Sequence, residues 1–164
     1  MDGQGMRIAL EPWGQDDLEV LRRANTPELT RYLGGPEHED ALAERHAEYL
    51  GSGDTVRMFR VEVDGSPAGY AGWWEEEHEG APAYEVGCVI EPEWHGRGVA
   101  SIALAEVVRR AAAGGRLIVG YANVENAASH ALCRRVGFAL EGTGVFPSDD
   151  GGEPTTVNIW VIRP

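Results

Sequence analysis

The chain has 164 residues, 43% hydrophobic and 25% charged, the balance of one ordinary globular domain whose core stands without disulfides or metal. Its formal net charge is −13 and all 14 basic residues are arginine, a field that disfavours nucleic acid and anionic membrane and favours cationic small molecules, amines or peptides, besides serving solubility. No stretch approaches the roughly 20 apolar residues of a membrane span, and MDGQGMRIAL lacks the basic start and apolar run of a secretory signal, so a cytoplasmic location is expected.

In chain order, MRIALEPW alternates as a first strand up to Pro12. Asp16 is placed as N-cap of a helix from Asp17 to about Asn25, with Leu18, Leu21 and Arg22 at helical spacing. A short helical turn, a Gly34–Pro36 breaker and a second helix from about Glu37 to Leu50 follow. Both helices carry little apolar surface, a trait of elements that border a cleft. After the GSGD break at Gly51–Asp54, MFRVEV alternates as a strand, Asp64 and Gly65 make a hairpin turn, and SPAGYAGWW returns. Trp73 and Trp74 point to opposite faces, so that one belongs to the core. The run EEEHEGAP, Glu75–Pro82, reads as a polar loop, and AYEVGCVIEP completes a three-strand meander.

The stretch EPEWHGRGVASIAL, Glu91–Leu104, joins that strand to a helix from about Gly98 to Ala113, apolar at Leu104, Val107, Val108 and Ala111 and closed by Gly114 and Gly115. RLIVGYA is a short buried strand. Asn123, Glu125 and Asn126 open a further helix with Ser129, Leu132, Cys133 and Val136 on one face, stopped by Gly137. FALEGTGVF and TTVNIWVI are the last strands, on either side of the acidic loop SDDGGEP. The final strand is apolar enough to pair across a homodimer or to finish one core.

The glycine turn carries the chemistry. Gly96 and Gly98 allow positive φ and close approach of a ligand, and the unpaired N–H groups at the helix start make an anion site. Phosphate is the usual occupant, held locally against the acidic field by backbone N–H groups with help from Arg97 and from Arg134 or Arg135. A nucleotide phosphate loop needs Gly-Lys-Ser/Thr, and the chain has no lysine. The dinucleotide fingerprint fails at Ser101, where its third glycine belongs. Cys88 and Cys133 fall in apolar segments as reduced thiols, and neither they nor the five histidines have metal-ligand spacing, so no metal is expected.

Two motifs carry a resemblance. His95, Gly96, Arg97, Gly98, Val99 and Ala100 fall on the turn pattern Q/R-x-x-G-x-G/A, and Asn126, Leu132, Gly137 and Phe138 fall on a second pattern about 30 residues on. Together with the order of elements, they make the chain resemble the GNAT superfamily of acyl-CoA-dependent N-acyltransferases, closest to the branch that includes the ribosomal-protein N-terminal acetyltransferases. The motifs cover most of the second half; the first half resembles the family only in element order.

The resemblance implies an α/β (α+β) fold: a single domain with a mixed, mostly antiparallel sheet of about seven strands, flanked by about four helices and splayed to admit acyl-CoA. It implies acetyl-CoA as cosubstrate, with the N–H groups from Gly96 to Ser101 around its pyrophosphate. Cys88, Val89 and Ile90 would bond the pantetheine arm as an added strand, with Asn126 on its other side. An amine would attack the thioester, with an N–H near Cys88 or Val89 meeting the oxyanion. Glu85, where the resembled branch has a glutamate, would serve as base or amine anchor, with Tyr121 a lesser candidate. Ser129 or Cys133 would protonate the departing thiolate, Cys133 standing where many members have tyrosine. His95 replaces the usual Gln or Arg and either donates toward a phosphate or stays exposed; Trp94 packs the turn down. These departures leave an alternative, a catalytically silent acyl-CoA-binding sensor or interaction module on the same fold. The acidic charge and the Glu75–Glu79 run favour a cationic acceptor: a polyamine, an aminoglycoside-like compound or a peptide amino terminus.

Overall fold

Alternation along the strands decides which helices cover which face of the sheet. The computed structural model describes residues 5–51, 53–148 and 151–164. It contains strands β1 (Ile8–Pro12), β2 (Val56–Val63), β3 (Ser66–His78), β4 (Ala81–Ile90), β5 (Leu117–Asn123), β6 (Ala139–Phe146) and β7 (Thr155–Ile162), and helices α1 (Leu18–Ala24), α2 (Glu39–Gly51), α3 (Val99–Ala111) and α4 (Ala127–Val136). The strands form one sheet in the order β1-β2-β3-β4-β5-β7-β6. Every neighbouring pair is antiparallel except β4 and β5.

On β2, Phe59, Val61 and Val63 face the main core, together with Val86 and Ile90 of β4, Ile118 of β5 and Trp160 of β7. Helix α3 fills this face with Val99, Ala103, Leu104, Val107 and Ala111, and α4 adds Cys133. Burying each large apolar side chain there contributes about 1.5–3 kcal/mol. Met58, of opposite parity on β2, faces the other way. It packs with Trp13 and with Val20, Leu21 and Leu42 of α1 and α2, and Tyr70 and Trp74 lie against them. The two helix pairs therefore cover opposite faces.

Beside β4 the sheet opens. β4 and β5 pair only at Ala83–Leu117, Tyr84–Ile118 and Glu85–Val119. From Val86 onward β4 keeps β3 alone, and from Gly120 onward β5 keeps β7 alone, so a fork separates them. The expected splayed sheet of mixed direction is present.

Several sequence expectations need correction. Glu75–Pro82 is not a loop: β3 runs on to His78, Glu79 and Gly80 turn the chain at φ 52 and 80, and Ala81 opens β4. This hairpin end has Glu75, Glu76 and Glu77 exposed, so the apolar alternation that marks a strand is missing. Asp16 does not cap the first helix. A 3₁₀ turn at Gln15–Asp17 precedes α1, and buried Asp17 accepts the Gly14 N–H at 2.8 Å and a bond from Arg60 at 2.8 Å. Helix α2 starts at Glu39, because Asn25 Oδ1 takes the Glu37 N–H at 2.8 Å. β7 is flanked on both sides by β5 and β6 and finishes the core; the open edges belong to β1 and β6.

The initial MDGQ, Ser52 of the GSGD break, and Asp149 and Asp150 of the acidic loop lie outside the described residues. Among the described residues, no helix is long and apolar enough to cross a membrane. Cys88 and Cys133 are unpaired.

Candidate active site

The fork presents main-chain groups of β4, and strand alternation says which. Glu91 donates its N–H to the Ala68 carbonyl at 2.8 Å, so the Glu91 main chain faces β3. Successive residues alternate, which turns the N–H and C=O groups of Ile90, Cys88 and Val86 toward the opening. The Val89 main chain turns back to β3: a Cβ built on Gly69 would lie 2.0 Å from the Val89 oxygen. Of the three residues expected to bond an extended amide chain, Cys88 and Ile90 therefore offer main-chain groups to the fork. Val89 offers none. Of the two N–H groups expected to meet an oxyanion, the same alternation turns that of Cys88 toward the fork and that of Val89 away from it.

At the glycine turn, Gly96 and Gly98 hold φ 76 and 81, conformations that disfavour any side chain, and the space beyond both is open. The first helical bond of α3 runs from the Ile102 N–H to the Gly98 carbonyl at 3.1 Å. The N–H groups of Val99, Ala100 and Ser101 precede it and have no intrahelical acceptor. His95 is exposed, and its Nε2 donates to the Ile90 carbonyl at 2.6 Å, so that nitrogen holds the strand end rather than the mouth of the turn. Trp94 packs against the core, as expected, with the Arg97 guanidinium 5.4 Å from its ring centre. Arg135 reaches the turn from α4 and donates to Ser101 Oγ at 3.2 Å, whereas Arg134 lies over Trp160.

Across the fork, Asn126 caps α4: its Oδ1 accepts the Ser129 N–H at 3.2 Å, which leaves the amide NH₂ to donate elsewhere. Ser129 is half-buried. Cys133 belongs to the main core, where burial pushes its thiol up to about 11. Burial likewise raises the Cys88 thiol to about 12. Both thiols are protonated at neutral pH.

Glu85 occupies the apex of the fork, in register with Trp74 on β3 and Val119 on β5. It shares the sheet face of α1 and α2, opposite to α3, because it alternates with Tyr84 and Val86. Burial raises its carboxyl to about 7, with a further push from Glu76 and a hydrogen bond to Glu76, against a smaller opposing hydrogen bond from Trp74. The Trp74 ring lies over Gly87, where a Cβ would meet it at 3.0 Å. Trp73 is the core member of the pair, against Phe59 and Tyr84. Burial raises the Tyr121 hydroxyl, as do the charges of Glu85, Glu76 and Glu141.

A family model described as an acetyltransferase (GNAT) domain matches residues 7–139. The chain belongs to the GNAT acetyltransferase family. Solved structures share its fold. A spermidine N-acetyltransferase from Vibrio cholerae, in complex with CoA and spermine, superposes with a TM-score of 0.78 at 22% identity, covering 94% of each chain. An N-acetyltransferase from Staphylococcus aureus Mu50 gives 0.72 at 19% identity, over 98% of this chain and 99% of that one. Aminoglycoside acetyltransferase AAC(6')-Ib, in complex with coenzyme A, gives 0.72 at 18% identity, over 93% and 94%. No curated protein matches.

In this GNAT domain the fold brings Glu85, Cys88, Ile90, Asn126 and Ser129 to the strands and helix end that border the fork, and places Gly96–Ser101 at the end of β4. The Val89 main chain is turned away from it, and Cys133 packs in the main core. Sequence reading missed Glu76, because its segment looked like a loop; the spacing Trp74-x-Glu76 is the strand alternation that would have found it. It also missed Glu141, which accepts from His78 Nε2 and from Arg163, both at 2.6 Å. Among the described residues, the one grouping of ligand-type side chains, His78, Glu79 and Glu141, is built around that ion-pair network.

Proposed function

We propose that this domain transfers an acetyl group from acetyl-CoA to a primary amine of a small molecule or peptide amino terminus, by direct attack on the thioester. The observation that carries this reading is the fork itself, with a half-buried carboxyl at its apex on one face and an open glycine turn at its mouth on the other. Residues 1–164 act as one acetyltransferase domain. Its placement near the ribosomal-protein N-terminal acetyltransferases is supported by the order of elements, the two motifs and the glutamate at Glu85.

The N–H groups from Gly96 to Ser101, with Arg97 and Arg135 beside them, take the pyrophosphate. The Cys88 main chain and the Ile90 N–H bond the pantetheine amides as a partial strand, the Ile90 carbonyl being held by His95, and Asn126 donates from the other side. The amine arrives as ammonium and gives a proton to the Glu85 carboxylate, which frees its lone pair. Its nitrogen attacks the carbonyl carbon, and the Cys88 N–H meets the oxyanion. The carbon–sulfur bond then breaks, and the surplus proton still on the nitrogen passes through the Ser129 hydroxyl, which gives its own proton to the thiolate as it takes that one, so that neutral amide, free thiol and unchanged serine result. Cys133 is a weaker candidate donor because it packs in the core. The acidic net charge, and the carboxylates of Glu76, Glu85 and Glu141 around Tyr121, favour a cationic acceptor.

Calorimetric titration with acetyl-CoA, coenzyme A and NAD tests the site. Acetyl-CoA binds and NAD does not; Gly98→Glu abolishes acetyl-CoA binding by placing bulk and charge at the pyrophosphate. Retained binding in that variant would refute the placement. Thiol release with a panel of amines tests the reaction, and tight acetyl-CoA binding without thiol release from any amine would support the silent sensor instead.

A further inference from the structure

Glu76 stands outside both motifs, yet the sheet delivers it to the reacting face. On β3, Trp74 is opposite Glu85 and Glu76 is opposite Ala83, so Glu76 is the diagonal neighbour of Glu85 across the β3–β4 pair. Side chains as long as glutamate meet along that diagonal, and Glu76 is among the groups that raise the Glu85 carboxyl. Two carboxylates that meet repel, and because a carboxylate accepts and does not donate, a hydrogen bond joins them when the pair holds one proton. The other groups facing Glu85 are the Trp74 indole from β3 and the Tyr121 hydroxyl from β5. Beyond Tyr121 lies Glu141 of β6, already engaged by His78 and Arg163. Among the described residues, no arginine or histidine offsets the charge at Glu85.

We propose that Glu76 is a positioning residue for the acceptor-side base: from its place diagonal to Glu85 on the same face of the sheet, it shares with Glu85 the proton taken from the amine. The inference rests on the reading of Glu85 as the group that deprotonates the amine. When the pair has lost its shared proton, an incoming ammonium transfers one to Glu85. The proton is then held between the two carboxyls, and the neutral amine keeps the electron pair with which it attacks. After acetyl transfer the shared proton leaves to solvent. A lone buried glutamate would also be raised, but less, and would be the poorer base near pH 7.

The test is a ¹³C-carboxyl NMR titration of the full chain labelled at glutamate, with the Glu85 resonance assigned by its loss in Glu85→Gln. In the wild type it titrates near 7; in Glu76→Gln, where an amide donates to the carboxylate, its midpoint falls by about one pH unit or more. Glu76→Ala, which removes the partner, moves it in the same direction. An unchanged midpoint in both variants overturns the proposal. The pH–rate profile of the amine reaction is read in parallel, and its lower limb shifts to lower pH in Glu76→Gln. If the resonance shifts while the profile stays in place, the carboxyl pair stands and Glu85 is not the base.

Discussion

At the scale of single residues, Glu85 combines two consequences of one placement. Its folded-state value is raised from 4.5 to about 7, so the folded protein holds a proton that the unfolded chain releases above about pH 4.5. Stability therefore falls as pH rises from about 4.5 to 7 and is flat beyond, by at most about 3 kcal/mol from this group. Glu85→Gln removes that slope. Urea unfolding at pH 5 and pH 8 should show the variant gaining on the wild type at the higher pH; equal pH dependence would mean that Glu85 is not held protonated. The same variant should lower kcat by about 10²–10⁴, the usual contribution of general base catalysis, with acetyl-CoA affinity unchanged. Unchanged turnover would remove Glu85 from the reaction.

At the scale of elements, β4 is held on one side only along its reacting half, so its path depends on β3. Gly69 is where that dependence is tightest: with φ 154 it lets β3 pass so close that a Cβ would overlap the Val89 oxygen at 2.0 Å. Gly69→Ala should force the strands apart and cost about 2–4 kcal/mol in chemical denaturation, with a loss of acetyl-CoA affinity larger than global stability explains. A variant as stable as wild type would show that β3 yields there freely. The second half of the chain was legible because its signals are local: φ-permissive glycines at 96, 98, 115 and 137 mark turn, cap and helix stop in places that sequence spacing alone locates. The first half hid more. Charged Glu75–Glu77 concealed the end of β3, because the hairpin ribbon there is wet and its period of two does not show in hydrophobicity. Glu76 was lost with it. The direction of each β4 main-chain group was equally invisible, since it depends on which neighbour β4 pairs with, a long-range fact.

At the scale of the whole molecule, a net charge of −13 is a field in which the two proposed substrates would sit unequally. It would draw in a polycationic amine and oppose an anionic coenzyme except at the turn, where Arg97 and Arg135 stand close. Raising the ionic strength from about 0.02 to 0.3 M shortens the screening length to within a few ångströms. The KM of a dicationic amine should then rise several-fold while the Kd of acetyl-CoA does not rise. A fall in amine KM with salt would rule out steering by this surface.

The two-faced sheet also sets the traffic. On the proposed reading the coenzyme would approach from the side of α3 and α4 and the amine from the side of α1 and α2, to meet through the gap between β4 and β5. Neither blocks the other's door. Free coenzyme A should inhibit competitively against acetyl-CoA but non-competitively against the amine, and initial-rate plots should intersect rather than run parallel, since both substrates must be aboard before the acetyl group can cross.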